Sequence, residues 1–167
     1  PASTRVPTPS MIVNVVAMLR PRTRNLQDRV IVVGGHYDSR ASDPMDRASD
    51  APGANDDGSG TALVLELARV FSRHDFDATL VFVAFAGEEQ GLLGATHWAG
   101  MAKYSGWNVE AMLNNDIVGS VDGGDGSVEK GYVSVFSEAY SPHDTGSVFR
   151  MRNTLGLEND GASRTLA

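Results

Sequence analysis

Four short segments of this sequence carry side chains that could bind a metal ion or transfer a proton. They are GGHYDS with His36 and Asp38, PGANDDGSG with Asp56 and Asp57, FAGEEQGLLG with Glu88 and Glu89, and NNDIVG with Asp116. Neighbouring carboxylates at the edge of a core repel each other unless a cation offsets their charge. Imidazole and carboxylate groups are ligands that zinc and similar divalent metals use in proteins. The residue types therefore favour a divalent-metal site.

Each of these residues also has an ordinary structural explanation when it is taken alone. His36 could be a hydrogen-bonded histidine of the core, and Asp38 and Asp116 could belong to turns. Asp56 and Asp57 could cap a helix that starts near residue 58, because carboxylates stabilise helix N-termini. Glu88 and Glu89 could likewise lie in the first turn of a helix. One metal cluster explains all these positions together if they meet at one place.

The elements that must position these residues can be predicted from hydrophobic patterns. Continuous apolar runs predict strands that are buried on both faces, and apolar residues spaced at helical intervals predict helices. The predicted strands cover residues 11–19, 29–35, 78–86, 109–113 and 132–136, and the predicted helices cover residues 61–73 and 91–104. Strands that alternate with helices indicate an α/β layer architecture with a mainly parallel central sheet. Functional groups in such sheets gather at the carboxyl ends of the strands, where His36, Glu88 and Asp116 lie.

Composition limits the partners and the ligand chemistry. The 167 residues carry a net charge of -7, which argues against nucleic acid or an anionic membrane as a partner. No apolar run reaches the roughly 20 residues of a membrane helix, and the N-terminus has no signal-peptide pattern. The absence of cysteine excludes thiolate ligands, so a transition metal would need His, Asp and Glu.

Together, the four segments resemble the M28 family of zinc-dependent peptidases in order and in spacing. The resemblance covers residues 11–120 most closely. It implies a three-layer α/β/α fold of the zinc-exopeptidase type with a central, mainly parallel but mixed sheet. It also implies one partial peptidase domain over residues 1–167 and two zinc ions in the intact domain.

The resemblance assigns roles to six residues. Asp56 is implied as the carboxylate that bridges both metals, and its peptide bond to the next residue is cis in the family. His36 and Asp116 are implied as further ligands of one metal, and Glu89 as a ligand of the other. Glu88 is implied as the general acid/base, and Asp38 as the carboxylate that orients His36 through its second ring nitrogen.

The implied activity is that of an aminopeptidase, which hydrolyses the first peptide bond of a substrate with a free N-terminus. The resemblance implies that zinc would lower the pKa of a bound water, and that Glu88 would take a proton from that water and pass it to the leaving amine. A carboxypeptidase or dipeptidase activity is compatible with the same motifs. By analogy with the family, we expect a secreted or periplasmic protein; the oligomeric state stays open.

One family feature has no match here. The family takes a fifth ligand, a histidine on the second metal, from a late segment, and no segment after Asp116 resembles it. The other histidines are His74, His97 and His143, and none of them is predicted to be that ligand. Either this chain is a fragment or its second zinc site is degraded, and the fragment is favoured. We therefore expect a C-terminally incomplete domain with one incomplete zinc site, and little or no activity in the isolated 167-residue chain.

Two other functions remain open at this level. The first is a single-zinc aminoacyltransferase, because glutaminyl cyclases share the fold. The second is a non-catalytic binding module that keeps a relic of the site. An intact His36 and Asp116 beside Asp56 favours two metals, and the presence of Glu88 favours an enzyme over a relic.

Overall fold

The structure is a computed structural model that describes residues 5–22, 29–122, 126 and 128, together with two short strands near the C-terminus. The chain divides into two compact units, residues 1–120 and 121–167, and each is described by itself. The first contains β1 (Val15–Leu19), β2 (Arg29–His36), α1 (Gly58–Phe71), β3 (Thr79–Phe85), α2 (Leu93–Tyr104) and β4 (Asn108–Asn114). In the second, β5 (Val133–Phe136) and β6 (Ser163–Leu166) form an antiparallel pair.

The first unit contains a four-stranded sheet in the order β1-β3-β2-β4. β2 runs parallel to both β3 and β4, whereas β1 pairs antiparallel with β3. The sheet is therefore mixed and mainly parallel, as predicted. The two central strands are almost entirely buried, which confirms the inference from their continuous apolar runs.

The two helices cover opposite faces of this sheet. On one face, Trp98 of α2 packs in a cluster with Val32 and Val81. On the other face, Val64 of α1 packs in a cluster with Val33 and Leu80. Because successive residues of a strand point to opposite faces, the alternation along β2 and β3 accounts for both clusters. The three-layer α/β/α prediction is confirmed for this unit.

The strand register brings the chemically interesting segments to one edge of the sheet. His36, the last residue of β2, pairs with Phe85, the last residue of β3. Gly34 of β2 pairs with Asn114, the last residue of β4. Since these three strands are parallel, the segments that follow them begin at the same edge. None of the helices in the described part of the chain is long and apolar enough to cross a membrane.

The predicted elements exist, with shifted boundaries. β1 begins at Val15 rather than at residue 11, and α2 begins at Leu93 rather than at residue 91. α1 begins at Gly58, three residues before the predicted start, because the Asp57 side chain accepts a hydrogen bond from the Gly60 backbone and caps the helix. The prediction of a helix cap at this position is thus confirmed for Asp57.

Candidate metal centre

His36 is fixed at the carboxyl end of β2 by its own backbone. Its side chain is 3% exposed. Its N–H donates to Asp57 Oδ2 at 3.0 Å, and its carbonyl accepts from Thr61 Oγ1 at 2.7 Å. Both partners belong to the N-terminal end of α1, so the helix start holds the end of the strand. Gly35 of β2 permits this close approach, because a Cβ there would lie only 3.0 Å from the backbone of Gly60 and 3.1 Å from Asp57 Oδ2.

The two ring nitrogens of His36 have different partners. Nδ1 lies 3.0 Å from the backbone carbonyl oxygen of Asp38, and because a carbonyl only accepts, Nδ1 carries a proton. Nε2 lies 3.2 Å from Asp56 Oδ1 and 4.0 Å from Asp116 Oδ1. The lone pair of Nε2 and these carboxylate oxygens repel each other unless a cation lies between them. That cation is a proton when His36 is charged, and it can be a metal ion when His36 is neutral.

Three of the predicted ligands form one compact group. His36, Asp56 and Asp116 each offer one ligand atom, and these atoms lie within 4.8 Å of one another. One imidazole nitrogen and two carboxylate oxygens are a donor set that suits zinc, with room for a water or substrate as a further ligand. The residues present therefore fit a zinc ion.

Asp56 and Asp57 are neighbours with different environments. The peptide bond between them is cis, as the family resemblance predicted. The Asp56 side chain is 49% exposed and belongs to the ligand group, whereas Asp57 is 1% exposed and binds backbone donors. One of the two is thus available to a metal, and the other is part of the scaffold.

Asp38 acts through two different groups. Its carboxylate was predicted to orient His36, but Oδ1 lies 3.6 Å from His36 Nδ1, and the backbone carbonyl makes the shorter contact. The carboxylate instead accepts hydrogen bonds from the backbone N–H groups of Glu88 and Glu89, at 3.0 and 3.1 Å. Asp38 therefore orients His36 with its main chain and fixes the glutamate pair with its side chain.

The two glutamates of GEEQG have separate environments. The Glu88 carboxylate is 32% exposed, and its Oε2 lies 3.9 Å from His36 Nε2, directly beside the ligand group. Glu89 is outside the three-residue group, and the resemblance implies it as a ligand of the other metal, so its position here leaves that prediction untested. Its Oε2 accepts from Arg40 Nε at 2.6 Å, and its side chain is 11% exposed. In this structure, a guanidinium offsets the charge of Glu89, where the sequence predicted a metal.

Asp116 is positioned by hydrogen bonds on both sides of it in the chain. The N–H of Asn115 donates to Gly34 O at 2.8 Å, and the N–H of Ile117 donates to Asp57 Oδ1 at 3.3 Å. Further along, the N–H of Gly119 donates to Asn55 Oδ1 at 2.9 Å. The loop that carries Asp116 is thus anchored to β2 and to the segment just before α1.

Sequence reasoning missed two contributors to this site, Asn55 and Arg40, and predicted only the helix-capping part of the role of Asp57. Asn55 and Asp57 act as acceptors for distant backbone groups, and their only local signal was that Asn and Asp favour helix starts. Arg40 had a weaker signal, a basic residue two positions after Asp38. Among the remaining histidines, His74 and His97 are exposed and outside the ligand group, and His143 lies outside the described residues.

Comparison with known proteins agrees with this geometry. The profile of peptidase family M28 matches residues 14–151, which is most of the sequence. The chain belongs to peptidase family M28. The M28 match includes all four segments that carry the predicted site residues.

Relatives and solved structures extend this M28 assignment. A probable zinc metalloprotease of Leptosphaeria maculans is 46% identical over 100% of this chain and 38% of its own length. A zinc aminopeptidase of Bacillus subtilis has a TM-score of 0.60 and 29% identity, covering 87% of this chain and 33% of that one. An Acidobacteriales glutaminyl cyclase has a TM-score of 0.56 and 26% identity, covering 66% of this chain and 41% of that one. The M28 chain spans about a third of the length of the curated relatives it matches.

Electrostatics in this M28 site favour protons when no metal is bound. Burial lowers the pKa of His36, but the charges of Asp57, Glu88, Asp38 and Asp116 raise it by more, and the net shift is upward. The pKa of Asp116 is raised, chiefly by burial and then by the charge of Asp57. Burial also raises the pKa of Glu88. Protons therefore remain on the site at a higher pH than on isolated side chains.

We expect zinc binding to this M28 chain to release protons and to weaken as the pH falls from 8 to 5.5. Zinc needs His36 neutral and Asp116 ionised, and the raised pKa of each extends proton competition to higher pH. Each released proton makes the apparent affinity change by about tenfold per pH unit. Calorimetric titration in buffers of different ionisation enthalpy measures the proton count. His97→Gln, which changes an exposed histidine, should leave the number of released protons unchanged. A zinc affinity that is independent of pH over this range would contradict the expectation.

Proposed function

We propose that the protein is a zinc-dependent aminopeptidase that hydrolyses N-terminal peptide bonds, with Glu88 as the general acid/base. The observation that carries this proposal is the convergence of His36, Asp56 and Asp116, with the Glu88 carboxylate beside them. Support also comes from the solved structures that the chain resembles, several of which are aminopeptidases, including the zinc aminopeptidase of Bacillus subtilis. The di-zinc form of the site, with Glu89 as a ligand of the second ion, is part of the proposal.

The catalytic contributions of the chain follow from its geometry. A zinc ion held by His36, Asp56 and Asp116 would lower the pKa of a bound water towards 7. Glu88, with Oε2 3.9 Å from His36 Nε2, lies where it can accept a proton as water attacks the peptide carbonyl. It then donates that proton to the leaving amine. Without a metal ion, burial raises the pKa of Glu88, and a zinc ion bound beside it would lower that pKa and favour the ionised form that accepts the proton.

Asp38 is the positioning residue for this chemistry. Its carboxylate binds the backbone of Glu88, and its carbonyl binds His36 Nδ1. A single residue therefore sets the distance between the proton acceptor and the ligand group, which matters because catalysis is sensitive to misplacement of about 1 Å.

A glutaminyl cyclase is the second candidate. Two solved glutaminyl cyclases match the chain, at 26% and 25% identity. The structure offers one specific observation in favour of a single-metal site, namely that Arg40 pairs with Glu89, the implied ligand of the second metal. In a cyclase, Glu88 would transfer a proton between the substrate's α-amine and the departing ammonia.

Three substrates separate these functions in the full-length protein supplied with zinc. We expect an aminoacyl-nitroanilide to be hydrolysed, and its N-acetylated analogue to resist hydrolysis because its α-amine is blocked. We expect a peptide with N-terminal glutamine to be shortened by one residue, which mass spectrometry distinguishes from the loss of ammonia. Ammonia loss without hydrolysis would replace the aminopeptidase proposal by the cyclase. His36→Ala, which removes a ligand, is the control for metal dependence.

A further inference from the structure

Arg40 is a fixed cation beside the proposed zinc site. Its Nε donates to Glu89 Oε2 at 2.6 Å. Its Nη1 donates to the backbone carbonyl oxygens of Ala41 and Ser42, at 3.3 and 3.1 Å. The guanidinium is thus tied to its own loop as well as to Glu89. That loop is held in turn by Ser39, whose Oγ donates to the Ala51 carbonyl at 2.8 Å.

Glu89 is equally constrained. Its N–H donates to Asp38 Oδ2 at 3.1 Å, and its carbonyl accepts from Arg5 Nη1, also at 3.1 Å. Only 11% of its side chain is exposed, so its charge is poorly compensated by water. A carboxylate in this position requires a positive partner, and Arg40 provides it.

Arg40 and the ligand group border the same space. A cavity of about 430 Å³ is lined by Arg40 and Glu89 and also by Asp56, the proposed bridging ligand. Because a guanidinium keeps its proton throughout the physiological pH range, this cavity carries a permanent positive charge on the side where Glu89 lies. A second divalent ion between Asp56 and Glu89 would meet that charge.

We propose that Arg40 competes with the second zinc ion for Glu89, so that the first zinc binds tightly and the second binds weakly. The inference rests on the proposed function, because it presupposes a zinc ion on His36, Asp56 and Asp116. Arg40 occupies Oε2 of Glu89 and leaves one oxygen for a metal. Its charge also repels a divalent ion in the shared cavity. Arg40 thereby sets how many metals the site holds at a given zinc concentration.

The competing interpretation is that Arg40 assists the second metal by orienting Glu89. The two interpretations predict opposite changes in the affinity for the second zinc ion when the charge of Arg40 is removed. If Arg40 competes, removing its charge strengthens binding of the second zinc. If Arg40 assists, removing its charge weakens that binding.

Zinc titration of the metal-free, full-length protein shows whether the affinity for the second zinc ion rises or falls. We expect Arg40→Gln to lower the dissociation constant of the second zinc ion by on the order of tenfold or more. The dissociation constant of the first zinc ion should change by no more than about twofold. Arg40→Lys, which keeps the charge, should leave the second zinc weak. Arg47→Gln, at an exposed arginine of the same loop, is the matched control and should change neither event.

Two results would overturn the inference. In the Arg40→Gln variant, the affinity for the second zinc ion could be unchanged, or it could be weaker. A failure of the proposed function gives a different pattern. In that case His36→Ala would leave the first binding event intact, whatever Arg40 does. The readout is metal stoichiometry and affinity, so it does not depend on turnover.

Discussion

In the full-length protein, replacing Glu88 by Gln is expected to reduce peptide hydrolysis by on the order of 10²- to 10⁴-fold while zinc binding persists. The Gln amide keeps the shape of the side chain but cannot accept the proton of the attacking water. The ligand atoms of His36, Asp56 and Asp116 are untouched by this change. Steady-state rates on an aminoacyl-nitroanilide, with zinc measured on the same sample, test both halves of the expectation.

The matched control for this variant is Glu66→Gln. Glu66 is an exposed glutamate of α1 that pairs with Arg69, away from the ligand group. The same chemical change there should leave both the rate and the zinc content unaltered. Loss of zinc together with activity in Glu88→Gln would show that Glu88 binds the metal, and the general acid/base assignment would then be abandoned.

Replacing Asp57 by Ala is expected to lower the free energy of unfolding by at least roughly 3 kcal/mol. The carboxylate accepts from three backbone N–H groups, those of His36, Gly60 and Ile117. Loss of a helix N-cap costs about 1 kcal/mol, and each buried donor left without a partner adds roughly 1–3 kcal/mol. Urea denaturation in the presence of a chelator measures the change without a contribution from bound metal.

Asp46→Ala is the control for this second prediction. Asp46 also accepts hydrogen bonds from two backbone N–H groups, those of Ala48 and Ser49, but in an exposed loop. Water replaces the lost acceptor there, so a change of about 0.5 kcal/mol is expected. Equal destabilisation by the two variants would mean that burial of Asp57 contributes nothing to its effect.

The sequence predicted well those parts of the fold that depend on local pattern. The runs over 29–35 and 78–86 became β2 and β3 because continuous apolar segments suit strands covered on both faces. The predicted start of β1 was four residues early, because Met11 and Val13 extend the apolar run beyond the part of it that pairs with another strand. Pairing with β3 begins only at Val15, and local composition does not reveal where a partner strand ends.

In the candidate site, too, local pattern predicted some features, whereas contacts between distant residues could not be predicted. His36 and Asp116 could be brought together from the sequence because parallel strands deliver their following segments to one edge, and the family resemblance added Asp56 to them. The pairing of Arg40 with Glu89, 49 residues apart, could not be predicted, since nothing local to either residue specifies the other. The carboxylate of Asp38 likewise binds backbone groups 50 and 51 residues away, which no motif encodes.

The hydrogen bonds that assemble the metal centre have a consequence for how the sequence can vary. Asp38, Asn55 and Asp57 are side-chain acceptors, but the groups that they bind in Glu88, Gly119 and Ile117 are backbone N–H donors. Every amino acid except proline supplies such a donor. As far as these bonds are concerned, the acceptor positions need a particular side chain, whereas the donor positions accept any amino acid except proline. A designer could therefore alter side chains around the active centre, within the limits of packing and backbone conformation, while keeping the three acceptors that hold it together.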